Sequence, residues 1–509
     1  MQGNQMLFET EKIEDCRQGK LQTVSNIEVC EKIARFLSKT LGPYGLDKLF
    51  YGQTLLITND GATIMENMSF SHPIGQLLAN LSKAQDHEVG DGTTSVILLT
   101  SAILGQFKEF ILKDYTVEEI RGVLNKCMTD CLSKLNRIKI KFDEDKLIKL
   151  ACTCLNSKNI RNNKEKYAKK LVEILAQETE KELFISTIPE GSLQEPVILN
   201  GVVFEKTFTY AGYEQQPRKL ENAKIVCIDI ELEWKNEKEN ALLKIDSVES
   251  YQKIVDTEYL LLKEKMDDLI EFGAKIVLSS KSIGDLATQY FAAHGIFSAG
   301  RVGKELEKIT AAFGGRINTT TKHLSCGHVE LFEERQLGAS RYNYFISSKS
   351  KVKTLLLRGP GRQVVDEVER AVHDAVCVLK KVIFTKEIVT GGGSVEMIMS
   401  NVCRKNFKDA GAREKFLFKA IGMAFEKIPL LLAQNFGLDP MIHIQKLRSA
   451  HFENKESYGI SAYGPEDMNK LGIYEPLSVK TNMIKAAFAT VDTILSIKGT
   501  LVNTHAENQ

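Results

Sequence analysis

The sequence lacks an excess of charge of either sign. It contains 67 lysines and arginines against 66 aspartates and glutamates, which leaves a net charge of +1 at neutral pH. Proteins that bind nucleic acid or acidic lipid through charge usually have a large basic excess. Charge therefore supports neither function, and we expect no nucleic acid and no membrane among the partners.

Long apolar runs are missing as well. No stretch of eighteen consecutive apolar residues occurs, so we expect no segment that spans a bilayer. Residues 1–20 are polar and mixed in charge, without the apolar core of a secretory signal. The ten cysteines are scattered, and neither Cys127/Cys131 nor Cys152/Cys154 has the spacing of a zinc site. Reduced, buried thiols in a cytosolic protein fit these absences best.

Internal repeats and low-complexity tracts are also absent. So is the Gly-x-x-x-x-Gly-Lys-Ser/Thr pattern, which argues against a P-loop kinase or GTPase. What the chain does have is 509 residues with an apolar fraction of 43%. That length and composition are typical of about three ordinary globular domains.

The most informative short segment of the chain is a loop in which glycines flank an acid and hydroxyl residues follow: Gly90-Asp91-Gly92-Thr93-Thr94-Ser95. Helical spacing of apolar residues predicts a helix before it, with Pro73 in the first turn, and a largely apolar, buried helix after it. Free N–H groups and the positive end of the second helix meet in this loop, which suits a phosphate. Asp91 can hold Mg²⁺ beside that phosphate. A capped helix after a tight turn fits the same residues, and spacing alone leaves both interpretations open.

Helical patterns dominate the first part of the chain. Apolar periodicity predicts helices at 24–41, 62–68 and 117–138 and a short strand at Leu55–Thr58. The next part, 143–208, mixes predicted helices at 145–154 and 164–182 with an extended stretch at Pro196–Leu199. We therefore expect a mostly helical region up to about residue 142 and a mixed region after it.

From residue 209 onward, strands alternate with helices, which predicts an α/β domain. The predicted elements of this domain are strands at 225–232 and 275–278 and helices at 249–271 and 283–293. Around residue 354 the chain leaves the domain through a short strand at 355–357, and a long helix at 362–383 follows. The last helix bears His373-Asp374, and we interpret His373 as packed or solvated. Beyond it, Thr390-Gly391-Gly392-Gly393-Ser394 precedes a mostly helical region to residue 501. These glycines fit either a backbone surface that a ligand approaches closely or a flexible hinge.

Together, these motifs resemble those of the group II chaperonins along nearly the whole chain. The matching segments, in the family's order and spacing, are Thr40-Leu41-Gly42-Pro43, Asn59-Asp60-Gly61-Ala62-Thr63-Ile64, the loop at 90–95, Gly391-Gly392-Gly393 and Tyr474-Glu475-Pro476. Within the family, the chain is most similar to the eukaryotic cytosolic chaperonin (CCT, also called TRiC). Segments at 210–217, 283–291 and 299–302 resemble one subunit type of that assembly more than the others.

The resemblance implies a multidomain α/β chaperonin fold. The implied domains are a helical equatorial domain from both chain ends (1–142 and 391–509), a small intermediate hinge domain (143–208 and 358–390) and an α/β apical domain (209–357). The apical domain would grip substrate, and the charged segment 235–270 falls where the family has its helical protrusion, the built-in lid. The implied partners are seven paralogous subunits in each ring of a double ring and non-native client proteins such as actin and tubulin.

The resemblance also implies ATP hydrolysis, with ATP and Mg²⁺ as cofactors. Asp91 is the implied metal ligand, and Asp60 and Asp374 are the implied carboxylates that orient and activate the attacking water. These two acids fall in different implied domains, so the site would be complete only when the hinge domain closes. The implied nucleotide contacts are Gly42, Gly92, Thr93, Thr94, Ser95, Ser157, Lys158, Gly392, Glu475 and Lys480.

Several of these residues have plainer interpretations when they are taken alone. Asp91 also fits an N-cap, and Asp374 and Lys158 also fit a solvated surface. Glu475 fits an ion pair with a neighbouring lysine. Asn156 departs from the family, which has a hydroxyl residue at that position, and this weakens the expected phosphate contact nearby.

Two functional classes therefore remain open. In the first, the chain hydrolyses ATP as part of a folding machine. In the second, it is a ring member that binds ATP with little turnover and serves mainly as a structural and substrate-contact subunit. The presence of Asp60, Asp91 and Asp374 together favours the first class.

Overall fold

The computed structural model describes residues 19–51, 55–141, 143–156, 160, 163–177, 182–191, 196–206, 213–233, 248–406 and 410–500. Ser157, Lys158 and the charged residues 234–247 lie outside them. The chain divides into two compact units: an outer unit, Met1–Ala176 with Asp366–Gln509, and an inserted unit, Gln177–Val365. The boundaries of the three implied domains stay predictions.

The N-terminal part of the outer unit is mostly helical. Its helices are α1 (Lys20–Leu37), α2 (Gly61–Asn67), α3 (Pro73–Val89), α4 (Thr93–Leu112), α5 (Val117–Arg137), α6 (Glu144–Leu155) and α7 (Lys164–Gln177). Its strands are β1 (Lys48–Tyr51), β2 (Leu55–Thr58) and β3 (Ile140–Lys141), of which β1 and β2 form an antiparallel pair. The predicted helix at 24–41 begins earlier than expected and ends in a short 3₁₀ turn at Ser38–Thr40.

Local capping explains where several of these helices begin and end. At α5, Thr116 and Glu119 form a reciprocal capping box. At α3, Pro73 occupies the first turn and the left-handed Gly90 ends the helix. At α2, the Asp60 side chain accepts a hydrogen bond from the Thr63 N–H. These signals are local in sequence, which is why the helices could be predicted.

The inserted unit alternates strands and helices. Its elements are β4 (Glu182–Ile188), β5 (Val197–Leu199), β6 (Gly201–Glu205), β7 (Lys219–Ile228), α8 (Val248–Glu271), β8 (Ile276–Ser279), α9 (Asp285–Ala293), β9 (Phe297–Ala299), α10 (Glu305–Phe313), β10 (Ile317–Asn318), β11 (Gly327–Leu337), β12 (Ser340–Ile346) and β13 (Val352–Arg358). The larger sheet has the order β6-β12-β11-β7-β8-β9, with β10 also paired to β7, and the smaller has the order β4-β13-β5.

The larger sheet has apolar side chains on both faces. Its strands β7, β8 and β9 are parallel and are joined through α8 and α9, as the predicted α/β alternation requires. Ile225 and Cys227 of β7 belong to the core on one face, and Val226 and Ile228 belong to the core on the other. This sheet therefore has the two-sided burial that is typical of α/β proteins.

Three parts of the chain between residues 164 and 346 differ from the sequence-based expectation. The predicted helix at 164–182 ends at Gln177, and Glu182 instead opens β4, because β4 pairs in parallel with the distant β13. The predicted strand at 225–232 ends at Ile228, and Leu232 makes only an isolated bridge to Ile283. The long β11–β12 pair was not predicted, although its turn contains Gly338 at a φ of +60°.

The C-terminal part returns to helices. Its elements are α11 (Arg362–Thr385), β14 (Glu387–Thr390), α12 (Ser394–Asn406), α13 (Ala412–Phe425), α14 (Lys427–Asn435), α15 (Pro440–Phe452), β15 (Tyr458–Ser461), β16 (Gly464–Asp467), α16 (Met468–Leu471), β17 (Tyr474–Pro476) and α17 (Leu477–Ser496). One apolar core draws on α1, α3, α4 and α5 from one chain end and on α12, α13 and α17 from the other. The strand order β17-β14-β3 also joins the two ends.

Helix α4 is long and apolar enough, by length and composition alone, to cross a bilayer. More than half of its most apolar stretch is buried, and the helix packs against α1, α3, α13 and α17. Core helices of globular proteins pass the same test of length and composition, and the packing of α4 is of that kind.

Candidate functional site

The loop between α3 and α4 turns through two glycines. Gly90 and Gly92 have φ values of +76° and +78°, in the left-handed region that favours residues without a Cβ. A Cβ added at Gly92 would lie 2.9 Å from Cγ1 of Val479, and one added at Gly90 would lie 2.7 Å from Cβ of Cys377. Both the turn and the close packing therefore require glycine at these positions.

Asp91 lies between these glycines and is not the N-cap of α4. The N-cap is Gly92, which has no side chain that can cap the helix. Asp91 Oδ1 instead accepts a hydrogen bond from the Gly92 N–H at 2.6 Å. The first turn of α4 consequently presents the N–H groups of Thr93, Thr94 and Ser95 without a side-chain cap, at the positive end of the helix dipole. Such a helix end attracts an anion.

A cavity of about 240 Å³ adjoins this first turn. Its lining contains ten of the thirteen predicted site residues: Gly42, Asp60, Asp91, Gly92, Thr93, Thr94, Ser95, Gly392, Glu475 and Lys480. Ser157 and Lys158 lie outside the described residues, and Asp374 is not among the residues described as lining the cavity. The fold therefore gathers residues from both chain ends around the loop.

Asp60 connects the start of α2 to the start of α4. Its Oδ2 accepts hydrogen bonds from the N–H and the hydroxyl of Thr63 at 2.9 and 2.8 Å. Its Oδ1 accepts a hydrogen bond from Thr93 Oγ1 at 3.0 Å. The hydroxyl proton of Thr93 is thus directed at Asp60, and the main group that Thr93 presents to an anion is its backbone N–H.

Asp374 lies on α11, which packs against the loop from another side. Its carbonyl oxygen is 4.0 Å from the position that a Cβ on Gly90 would take. One turn earlier, Arg370 Nη2 donates to the Ile57 carbonyl of β2 at 3.3 Å and pairs with Glu367 at 2.7 Å. These contacts fix α11 beside the loop, so the backbone of Asp374 is close to Gly90 even though its side chain is not part of the described lining.

Asn156, the departure from the family pattern, also lines the cavity. Its Oδ1 accepts a hydrogen bond from Lys164 Nζ at 2.8 Å. The amide therefore links the end of α6 to the start of α7.

The glycine cluster before α12 forms another part of the wall. Gly392 and Gly393 line the cavity and have φ values of +64° and +78°. A Cβ on Gly392 would lie 2.6 Å from Met468 Sδ and 3.3 Å from the Ile460 carbonyl oxygen. The Gly392 carbonyl also accepts a hydrogen bond from the Ile460 N–H at 2.8 Å. Close backbone packing therefore explains the glycines at this point of the chain.

Lys480 lies between two carboxylates. Its Nζ is 2.6 Å from Glu396 Oε1 and 2.6 Å from Glu475 Oε2, and the side chains of Lys480 and Glu396 are 5% and 0% exposed. Burial acts to lower the pKa of Lys480, but the two carboxylates outweigh it, so this pKa lies above its usual range. Glu475 thus has the ion-pair partner that its plainer interpretation required, while it still lines the cavity.

Sequence reasoning missed Glu396, which holds Lys480 from the buried side. The available signal was an acid in the first turn of the helix that follows the glycine cluster. It also missed Gln85 and Asn482. Gln85 Nε2 donates to the Asp91 carbonyl at 2.9 Å, and Asn482 Nδ2 donates to Gln85 Oε1 at 2.8 Å. A fully buried glutamine on α3 supports the loop in this way.

Comparison with known proteins identifies the family. The profile of the TCP-1/cpn60 chaperonin family matches residues 33–505. The chain belongs to this family. It is 49% identical over 505 residues to T-complex protein 1 subunit eta of Encephalitozoon cuniculi, a match that covers 98% of this chain and 99% of that protein.

Two more distant chaperonin relatives have the same name. The chain is 39% identical over 515 residues to T-complex protein 1 subunit eta of Saccharomyces cerevisiae, which covers 97% of this chain and 94% of that protein. It is 37% identical over 509 residues to the human protein of that name, a match that covers 96% of this chain and 94% of that protein. The subunit type that the segments at 210–217, 283–291 and 299–302 indicated is eta, so the resemblance is confirmed. Chaperonin family membership also confirms the fold class and implies ATP binding.

Mg²⁺ fits this chaperonin cavity through Asp91. Among the residues that the structure describes, no group of three or more histidine, cysteine, aspartate or glutamate side chains is placed to hold a metal ion. Mg²⁺ commonly takes only one or two carboxylates and completes its shell with water and phosphate oxygens. Asp91, beside an uncapped helix N-terminus, provides such a carboxylate next to the place where a phosphate would bind.

Proposed function

We propose that this chaperonin chain binds and hydrolyses ATP as one subunit of a hetero-oligomeric double ring. Hydrolysis drives lid closure and the folding of non-native cytosolic proteins such as actin and tubulin. The observation that supports the proposal most is the uncapped first turn of α4, with Asp91 beside it, on the wall of the cavity. The names of the relatives, which describe subunits of a complex, support the assembly.

Different residues hold the phosphates and the metal ion. The N–H groups of Thr93, Thr94 and Ser95 hold phosphate oxygens at the positive end of α4. Asp91 anchors Mg²⁺, which when bound neutralises charge on the phosphates. Lys158, with Ser157, contacts the terminal phosphate.

Two carboxylates orient the attacking water and accept its proton: Asp60 and Asp374. Asp60 is held rigidly by its hydrogen bonds to Thr63 and Thr93. Asp374 acts from α11 once its side chain reaches the cavity. Gly42 lies against the nucleotide, where a side chain would collide with it. Gly392 and the Glu475–Lys480 pair contact the base and ribose.

A second candidate is a ring member that binds ATP with little turnover. The observation in its favour is that Asp374 is not among the described cavity-lining residues. Binding needs only the loop and the metal ligand, whereas turnover also needs both acids near the terminal phosphate. The two candidates therefore differ at Asp374.

The test is to compare Asp374→Ala with Asp91→Ala in assembled particles. Asp374→Ala should leave ATP bound and slow hydrolysis at this subunit by roughly 10²- to 10⁴-fold, which is the usual contribution of a positioned acid or base to the rate. Asp91→Ala should weaken binding itself, because it removes the carboxylate that would hold Mg²⁺ beside the phosphates. Nucleotide occupancy of this chain by photo-crosslinking and phosphate release in single turnover measure the two effects.

Asp366→Ala, about two turns earlier on α11, is the matched control and should change neither quantity. Loss of binding in Asp374→Ala with full binding in Asp91→Ala would reverse the assigned roles. Unchanged turnover in Asp374→Ala would instead favour the ring member with little turnover.

A further inference from the structure

Cys377 and His373 form a pair on α11, one turn apart. The distance from His373 Nδ1 to Cys377 Sγ is 3.8 Å, which is within the range of a hydrogen bond to sulfur. His373 is exposed and Cys377 is partly exposed, so small molecules can reach the sulfur. The proposed chemistry of ATP hydrolysis uses neither side chain.

The pair lies directly against the phosphate-binding loop. A Cβ added at Gly90 would lie 2.7 Å from Cβ of Cys377 and 3.7 Å from its Sγ. Gly90 immediately precedes Asp91, and the left-handed conformation of Gly90 sets the direction of the loop. A larger group on this sulfur would therefore press on the turn that positions Asp91.

The surroundings of His373 favour its charged form. The contact with Cys377, acting with the negative charges of Asp374 and Asp86 against partial burial, raises the pKa of His373 to about 8. Glu88 of α3 and Lys381 of α11 also carry charges near this contact between the two helices, and they pair with each other: Glu88 Oε1 lies 3.7 Å from Lys381 Nζ. The His373 imidazolium, 3.8 Å from the Cys377 sulfur, can therefore give a proton to a hydroxide that leaves beside that sulfur.

Other cysteines of the chain are in a different situation. Cys30 and Cys227 are buried in apolar cores, and burial raises the pKa of each to about 12. Such thiols are inert. Cys326 is partly exposed, like Cys377, but no imidazole contact is found for it within the described part of the chain. It therefore offers a matched control for exposure without a histidine.

We propose that Cys377 is an oxidation site for hydrogen peroxide, activated by His373, and that its oxidation slows nucleotide turnover. The thiolate sulfur attacks one peroxide oxygen, an S–O bond forms and the O–O bond breaks. The departing hydroxide takes a proton from the His373 imidazolium and leaves as water. Sulfur is oxidised by two electrons to the sulfenic acid, and the peroxide is reduced by two electrons. The effect on turnover rests on the proposed ATP hydrolysis, whereas the oxidation itself does not.

The first experiment measures the chemistry in assembled particles at neutral pH. Particles are treated with hydrogen peroxide and a sulfenic-acid trap, and labelling of the Cys377 and Cys326 peptides is followed by mass spectrometry. We expect Cys377 to label about tenfold faster than Cys326, and His373→Gln to remove most of this difference without changing Cys326. Equal rates at the two cysteines, or no effect of His373→Gln, would overturn the oxidation site.

The second experiment measures the consequence. Phosphate release and photo-crosslinked nucleotide on this chain are compared before and after peroxide, in unaltered particles and in particles with Cys377→Ser. We expect Cys377→Ser to retain untreated activity and to lose less of it on oxidation. Equal losses in the two particles would overturn the link to turnover. Absence of nucleotide on the untreated chain would contradict the proposed function instead, while the labelling rates would still test the oxidation site.

Discussion

Among single residues, Lys480 shows how a buried charge depends on its partners. It is held between Glu396, which is fully buried, and Glu475, which reaches the cavity wall. Removal of one member of such a cluster leaves an unpaired charge in a medium that solvates it poorly. The cost of a substitution therefore depends on which charge remains.

Lys480→Met should lower local stability by about 3–5 kcal/mol, because Glu396 loses its cation. The double substitution Lys480→Met/Glu396→Gln should recover much of that loss, because the buried negative charge is also removed. Backbone hydrogen exchange of α12 and α17 in assembled particles measures both effects. Lys485→Met, at an exposed position of α17, serves as the control. Exchange in the double variant as fast as in Lys480→Met would contradict this account.

Between secondary-structure elements, the phosphate-binding loop depends on two helices that flank it. Gln85 of α3 donates to the Asp91 carbonyl, and Asn482 of α17 fixes the orientation of the Gln85 amide. These contacts hold the backbone of the loop in the absence of any capping side chain on α4. The loop is therefore positioned by side chains that do not themselves line the described cavity.

Gln85→Met should weaken nucleotide binding by about 1–3 kcal/mol, because the partly buried Asp91 carbonyl loses its donor. Asn482→Ala should have a smaller effect, since Gln85 can keep its bond to the carbonyl. The dissociation constant of an ATP analogue from this chain, measured by competition in photo-crosslinking, gives both values. An unchanged affinity in Gln85→Met would indicate that the turn glycines alone fix the loop.

The contact between α15 and β15 should depend on pH through His451. Its ring is 5% exposed, and Nε2 lies 2.7 Å from the Tyr458 carbonyl. Burial lowers the pKa of His451 below its usual value, against the effect of the Tyr458 contact. The folded state therefore prefers the neutral ring, so its stabilising contribution is complete above the usual histidine pKa of about 6.5 and is lost as the pH falls below it.

Hydrogen exchange of α15 and β15, corrected for intrinsic rates, should therefore accelerate as the pH falls below about 6.5. His451→Gln should remove this acceleration, because the amide can donate to the Tyr458 carbonyl and does not titrate. An equal acceleration in His451→Gln would assign the pH effect to another group.

At the scale of the whole chain, the outer unit leaves large apolar side chains in contact with solvent. Tyr51 on β1 is 91% exposed and Phe452 at the end of α15 is 89% exposed. Leu46 just before β1, Leu49 on β1 and Met441 on α15 are also more than half exposed. Exposed apolar groups of this kind are typical of surfaces that are covered in an assembly.

We therefore expect the chain expressed alone to aggregate or to form abnormal homo-oligomers. Size-exclusion chromatography with light scattering measures this directly, with the same chain in the particle purified from its source as the control. A soluble monomer of stable mass that turns over ATP would contradict the proposed assembly.

Much of the helical architecture was predictable because its signals are local. The Thr116–Glu119 capping box, Pro73 in a first turn and the apolar periodicity of α4 each depend on residues within a few positions of one another. The loop at 90–95 and most of the predicted cavity residues were found in the same way or through the resemblance. Short motifs can be recognised from sequence because their geometry is set within one or two turns of chain.

Only the tertiary structure decided which residues far apart in the chain contact each other. Gln85 and Asn482 are 397 positions apart, and Lys480 and Glu396 are 84 apart. The parallel pairing of β4 with β13 likewise turned a predicted helix end into a strand. No local pattern specifies such partners, because burial and pairing are fixed only when distant segments pack together. The sequence by itself therefore determined the family, the loop and most of the helices, and the tertiary packing decided how that loop is supported and which charges are buried around it.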